Sequence, residues 1–166
     1  MKAAKLLAAF SIALVSLTAC EPTRNTQMYE LNGMVFQLSY TDWKWYSANV
    51  SRNGRAYYPY MDRTTDECSG PIGNRPWDCR YPCRRHDFSY RNLKRISARY
   101  SPGVWNGRNK NAADLQFRDD LHARCGDFSW YAEWACHPDA NLYFAIVNLA
   151  PPYAWPWDAG KQGFVW

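Results

Sequence analysis

Apolar residues along this chain recur three and four apart more often than they alternate, and they do so in four blocks. Leu31, Val35 and Leu38, followed by Trp43, Tyr46 and Val50, predict a helix over 31–50, although the aromatics between Met34 and Tyr40 alternate enough to leave a short strand open. The stretch from Ser51 to Trp77 is rich in Gly, Pro, Asn, Asp and Thr and reads as a long loop. Helical pattern returns at Pro82, a residue suited to a first turn, and runs to Tyr100, where SPG breaks it. On that helix Cys83, His86, Tyr90 and Leu93 share one face, so the histidine points inward. A third helix over 111–125 stops at Gly126, and its stripe of Asp114, Phe117 and Leu121 sets a carboxylate on the face that should be buried. A fourth is expected over 141–150, with Leu142, Ala145, Ile146 and Leu149 toward the core, before Pro151 and Pro152 end it. The expectation is an all-α domain in which two long helices lie antiparallel and long loops join the rest.

The ends of the chain read differently. Two lysines, an apolar run from Leu6 to Leu17 and the small residues before Cys20 form an export leader over 1–19, too short an apolar stretch to span a bilayer. LTAC has the form of a bacterial lipobox, which makes Cys20 the expected lipidated first residue of the mature chain; a plain secretory leader is the alternative. Residues 20–30 are then a polar tether, 31–150 the domain, and 151–166 an irregular aromatic tail. The protein is expected to be exported and membrane-anchored through Cys20, or otherwise secreted.

The formal net charge is +5, and Lys2 and Lys5 belong to the leader, so the mature chain is only mildly basic. Its cations crowd into Arg80, Arg84, Arg85, Arg91, Lys94, Arg95 and Arg99. That cluster suits an anionic membrane surface or a nucleic acid, or is a solvated helix face. Nine tryptophans would fit a membrane-facing or sugar-binding surface, or core filling in a small domain. Six cysteines in an exported chain point to disulfides, and once Cys20 carries lipid five remain, so one is left over. A zinc site from Cys79, Cys83 and His86 lacks a fourth ligand.

A carboxylate on a buried stripe needs a hydrogen-bonded partner, and His86, inward on the neighbouring helix, is the candidate for Asp114. An aspartate bonded to one ring nitrogen fixes the tautomer and leaves the other nitrogen to take a proton from water. A His-Asp pair that only ties two helices together is the bland reading. Were Cys68 bonded to Cys83, the TDEC segment would lie against the start of the His86 helix and bring Asp66 toward Asp87. Two carboxylates so placed are stabilised by a hard divalent cation such as calcium.

TDEC, PCRRHDFSYRNLK and NKNAADLQFRDDLHARC, from about Thr65 to Cys136, resemble the secreted phospholipase A2 family of bacteria and fungi, with its C-x-RHDF-x-YRN core. The resemblance implies a small helical phospholipase A2-like domain that hydrolyses the sn-2 ester of glycerophospholipids. It implies His86 as general base, Asp114 as its orienting partner, and Asp66, the Glu67 carbonyl and Asp87 as calcium ligands. It also implies disulfides Cys68–Cys83 and Cys125–Cys136, and gives Cys79 no counterpart. SGPIGNRPWDC departs from the family's usual Pro-Asp and Gly-Phe pairs after the first cysteine, so the calcium loop is expected to differ in shape. The expected partner is a phospholipid membrane rather than a nucleic acid, and the expected state is a monomer. Two other readings are a non-catalytic lipoprotein that binds lipid or a partner, and a metal nuclease supported by the arginines alone.

Overall fold

A computed structural model describes residues 22–49, 58–69, 76–149 and 163–165. The leader, Cys20, Val50, residues 51–57 and 70–75 of the expected loop, Ala150, residues 151–162 of the tail and Trp166 lie outside the described residues. Five helices make up the described chain: α1 Arg24–Asn32, α2 Tyr40–Asn49, α3 Arg80–Tyr100, α4 Gly107–Cys125 and α5 Trp130–Leu149, with a π-helical turn Gly33–Gln37 between the first two. No strand occurs among the described residues, so Met34–Tyr40 forms none.

Helix begins inside the stretch expected to be a polar tether. The Thr23 hydroxyl accepts from the Thr26 amide and caps α1, which buries Gln27, Met28 and Leu31. The single helix expected over 31–50 is two helices, with a break at Leu38 and Ser39. α4 starts four residues earlier than its apolar pattern, because Asn106 accepts from the Asn109 amide at 2.9 Å and caps it.

Polar contacts fix how the long helices lie. Arg85, early on α3, meets Asp120, late on α4, while Tyr90 further along α3 meets Asp114 further back on α4, so the pair runs antiparallel. Between α4 and α5 the Cys125–Cys136 disulfide at one end and the Lys110–Val147 bond at the other give the same sense. α4 is therefore the middle rod, and thirteen of its nineteen residues are buried. Many are polar, and each needs a partner there. Asn109, for example, donates to the Val104 and Val165 carbonyls and accepts from the Val165 amide. The second disulfide, Cys68–Cys83, ties the loop to α3, and Cys79 is free and buried.

One core cluster gathers Met28, Leu31, Val35, Trp43, Phe88, Leu93 and Ile96, and a second surrounds Cys125–Cys136 with Phe117, Leu121 and Ala140. The end of the tail closes the first: Phe164 is buried, and its ring meets Phe36 edge-on at 4.8 Å.

α5 differs most from expectation. It begins eleven residues before Asn141 and carries Pro138 inside it. An interior proline costs about 3 kcal/mol, and a disulfide closing a loop the size of Cys125–Cys136 contributes a similar amount, about 3 kcal/mol. The face is also inverted. Cys136, Ala140, Tyr143 and Phe144 are buried, whereas Leu142 and Leu149, expected to be core, are exposed.

Candidate active site

His86 lies in the second turn of α3 and Asp114 in the middle of α4, and the antiparallel packing sets the imidazole Nε2 2.8 Å from the Asp114 Oδ1. The ring is held between Tyr90 and Phe117, at 4.1 and 4.7 Å between centroids. Its Nδ1 has no hydrogen-bond partner among the described residues, and His86 lines a cavity of about 180 Å³. That cavity has a polar side, with Glu67 and Asp87, and an apolar side of Phe117, Tyr143, Ile146 and Val147.

Asp114 is fully buried and accepts from three donors. Besides His86 these are the Tyr90 hydroxyl, on the same oxygen, and the Lys110 ammonium at 2.6 Å on Oδ2. Lys110 is itself buried, and it also donates to the Val147 carbonyl at 2.9 Å. A buried carboxylate is tolerable when paired and hydrogen-bonded in this way. Burial pushes the Tyr90 phenol far above its ordinary value, and the adjacent Asp114 charge adds to the shift, so the phenol stays a donor.

Asp66, Glu67 and Asp87 gather where the Cys68–Cys83 disulfide holds the loop against α3. The Asp87 carboxylate accepts from the Thr65 hydroxyl, and Asp66 lies close enough to act on it electrostatically. Burial raises the Asp87 carboxyl, the Thr65 hydroxyl opposes that, and the Asp66 charge raises it further. Asp66 is held below the usual range, first by the Ser69 hydroxyl, and Arg91 also reaches it at 3.0 Å. Glu67 adopts a left-handed backbone, φ 56°, and its carboxylate pairs with Arg84. The donor set of two carboxylates and a loop carbonyl is all oxygen and carries negative charge, which suits a hard divalent cation. Among the described residues no group of three or more His, Cys, Asp or Glu side chains is placed to hold a metal, and Cys83, bonded to Cys68, is not a zinc ligand.

The basic cluster on α3 is not one surface. Arg85 is buried, donating to the Val35, Leu38 and Ser39 carbonyls and to Asp120, with its guanidinium 5.1 Å from the Trp43 ring. It terminates the π-helical turn from inside. Sequence reasoning also missed Lys110, one turn before Asp114, and the part of the cavity wall that α5 supplies.

A helical core stapled by two disulfides, with the RHDF-x-YRN segment facing a buried aspartate, is matched over residues 31–150 by the family described as prokaryotic phospholipase A2. The chain belongs to that family. It is 32% identical over 94 residues to a secretory phospholipase A2 of Arthroderma benhamiae, covering 54% of this chain and 60% of that protein. It is 31% identical over 96 residues to a secretory phospholipase A2 of Beauveria bassiana, covering 57% of this chain and 46% of that one. The chain thus spans less than two thirds of the length of either relative.

Proposed function

We propose that this protein is an exported phospholipase A2 that hydrolyses the sn-2 ester of glycerophospholipids, with His86 as general base and Asp114 as the residue that orients it. The observation that carries this reading is the 2.8 Å His86–Asp114 contact on the wall of a cavity with one apolar side. With Nε2 occupied by Asp114, Nδ1 is the nitrogen that takes a proton from water as the water oxygen attacks the ester carbonyl. The imidazolium so formed is stabilised by the Asp114 carboxylate and returns its proton to the leaving alkoxide. Phe117, Ile146 and Val147 offer an apolar wall for an acyl chain.

Asp66, Asp87 and the Glu67 carbonyl would hold a calcium ion. Bound there, calcium would supply positive charge for the substrate phosphate and for the negative charge that builds on the ester oxygen. In this reading Cys20 carries the lipid anchor, the substrate is the protein's partner, and the working form is a monomer. Fatty-acid release from phosphatidylcholine vesicles, followed as calcium is removed with a chelator and then restored, tests the reading. Release that stops and recovers supports it, while release indifferent to the chelator removes calcium from the mechanism. No release under any condition leaves a lipid-binding lipoprotein of the same fold.

A further inference from the structure

α5 is apolar on both faces. Inward, Cys136, Ala140, Tyr143 and Phe144 pack against the rest of the chain. Outward, Tyr131, Trp134, Pro138, Leu142 and Leu149 follow one another three, four and seven apart, which at 3.6 residues per turn is a single stripe along the whole helix. Trp134 is 79% exposed and Leu149 70%, and Trp130 at the entry to the helix is 81% exposed. Glu133, His137, Asp139 and Asn141 lie between the two stripes, and an apolar stripe on a helix is ordinarily covered. Nothing in the described chain covers this one.

Three features say what does. Ile146 stands beside Leu142 and Leu149 on the helix and also lines the cavity of His86, so the stripe runs into the mouth through which a lipid would enter. Tryptophan and tyrosine are concentrated at one end of the stripe, and such rings favour the boundary between headgroups and acyl chains. Finally, α5 contains no lysine or arginine, and no described helix is long and apolar enough to cross a membrane. A large exposed apolar patch of this kind marks a contact surface, and on a helix without cations that contact is made by apolar burial rather than by charge.

We propose that the outer face of α5 is the surface on which this protein rests against a phospholipid bilayer, the helix axis in the membrane plane and the cavity mouth facing lipid. The assignment rests on the phospholipase reading for its choice of occupant, and it replaces the arginine cluster of α3 as the principal contact.

The test uses the exported chain carrying Cys20→Ser and His86→Asn, so that neither acylation nor hydrolysis enters, sedimented with phosphatidylcholine vesicles. Trp130→Ala with Trp134→Ala should lower the partition coefficient at least about tenfold without changing the melting temperature, and Leu142→Ser with Leu149→Ser should act in the same direction. Partition should be nearly the same at low and high salt. Partition unaffected by both double substitutions would overturn the proposal, as would binding that requires anionic lipid and vanishes at high salt. So would a solution dimer that the tryptophan substitutions dissociate, since the stripe would then cover a second copy. Partition that meets the prediction while the unsubstituted chain releases no fatty acid would leave this surface standing and remove the phospholipase reading instead.

Discussion

Lys110 lies one turn before Asp114 on α4, and its ammonium meets at 2.6 Å the carboxylate oxygen that His86 does not use. The aspartate is thus balanced by a buried cation from its own helix, and that cation also holds the Val147 carbonyl beside the cavity. Removing it strands a buried charge. Lys110→Met should destabilise the fold by about 3–5 kcal/mol, read as a lower midpoint in urea, whereas Lys110→Arg should recover part of the loss. A midpoint unchanged by Lys110→Met would mean that Asp114 does not need this partner.

Arg84 and Arg85 are neighbours with opposite surroundings. Arg85→Met should cost about 3–5 kcal/mol, because Asp120 and three carbonyls lose a buried donor. Arg84→Ala breaks a part-exposed pair with Glu67 and a stacking contact with the Tyr81 ring, for which about 1 kcal/mol is expected. Equal effects in chemical denaturation would contradict the buried placement of Arg85.

Gly163 holds the tail against α1. Its φ of +29° is one that side chains adopt rarely, and a Cβ there would sit 2.7 Å from the Asn32 Oδ1, the atom that accepts from the Phe164 amide. Gly163→Ala should lower stability by about 1 kcal/mol or more and loosen the packing of Phe164. Near-ultraviolet circular dichroism together with the melting temperature reports both.

Cys79 sets an alkaline limit. Burial pushes its thiol up to about 11 from an ordinary 9.0, and Tyr143 rises to about 12 for the same reason. A raised value means that the folded state holds its proton more tightly, so this contribution is complete below pH 9 and is lost as pH rises toward 11. The melting temperature should fall across that window, and Cys79→Ala should make the fall shallower. The native thiol should also resist alkylation at pH 8.

The His86–Asp114 contact was legible because each residue sits on a helical stripe that periodicity turns inward. Lys110 was not, since a lysine one turn from an aspartate reads equally well as a solvated ion pair, and only the burial of α4 on both sides decides otherwise. α5 failed for a different reason. Both of its faces are apolar, so spacing alone cannot choose between the Leu142–Leu149 stripe and the Tyr143–Val147 one. The readable signal was Cys136: a disulfide to Cys125 fixes it inward, and Ala140, Tyr143 and Val147 follow on the same side. Arg85 shows the limit of charge counting, because a cation within an arginine run can still be the one that caps a helix from the core.

The most direct measurement is release of a label from the sn-2 chain of phosphatidylcholine, in calcium, by the native protein and by His86→Ala at equal folded concentration. The account predicts that the native protein releases the label and that His86→Ala falls by about 10²–10⁴-fold while its circular dichroism is unchanged. A correctly folded His86→Ala protein that releases the sn-2 label at the native rate would contradict it.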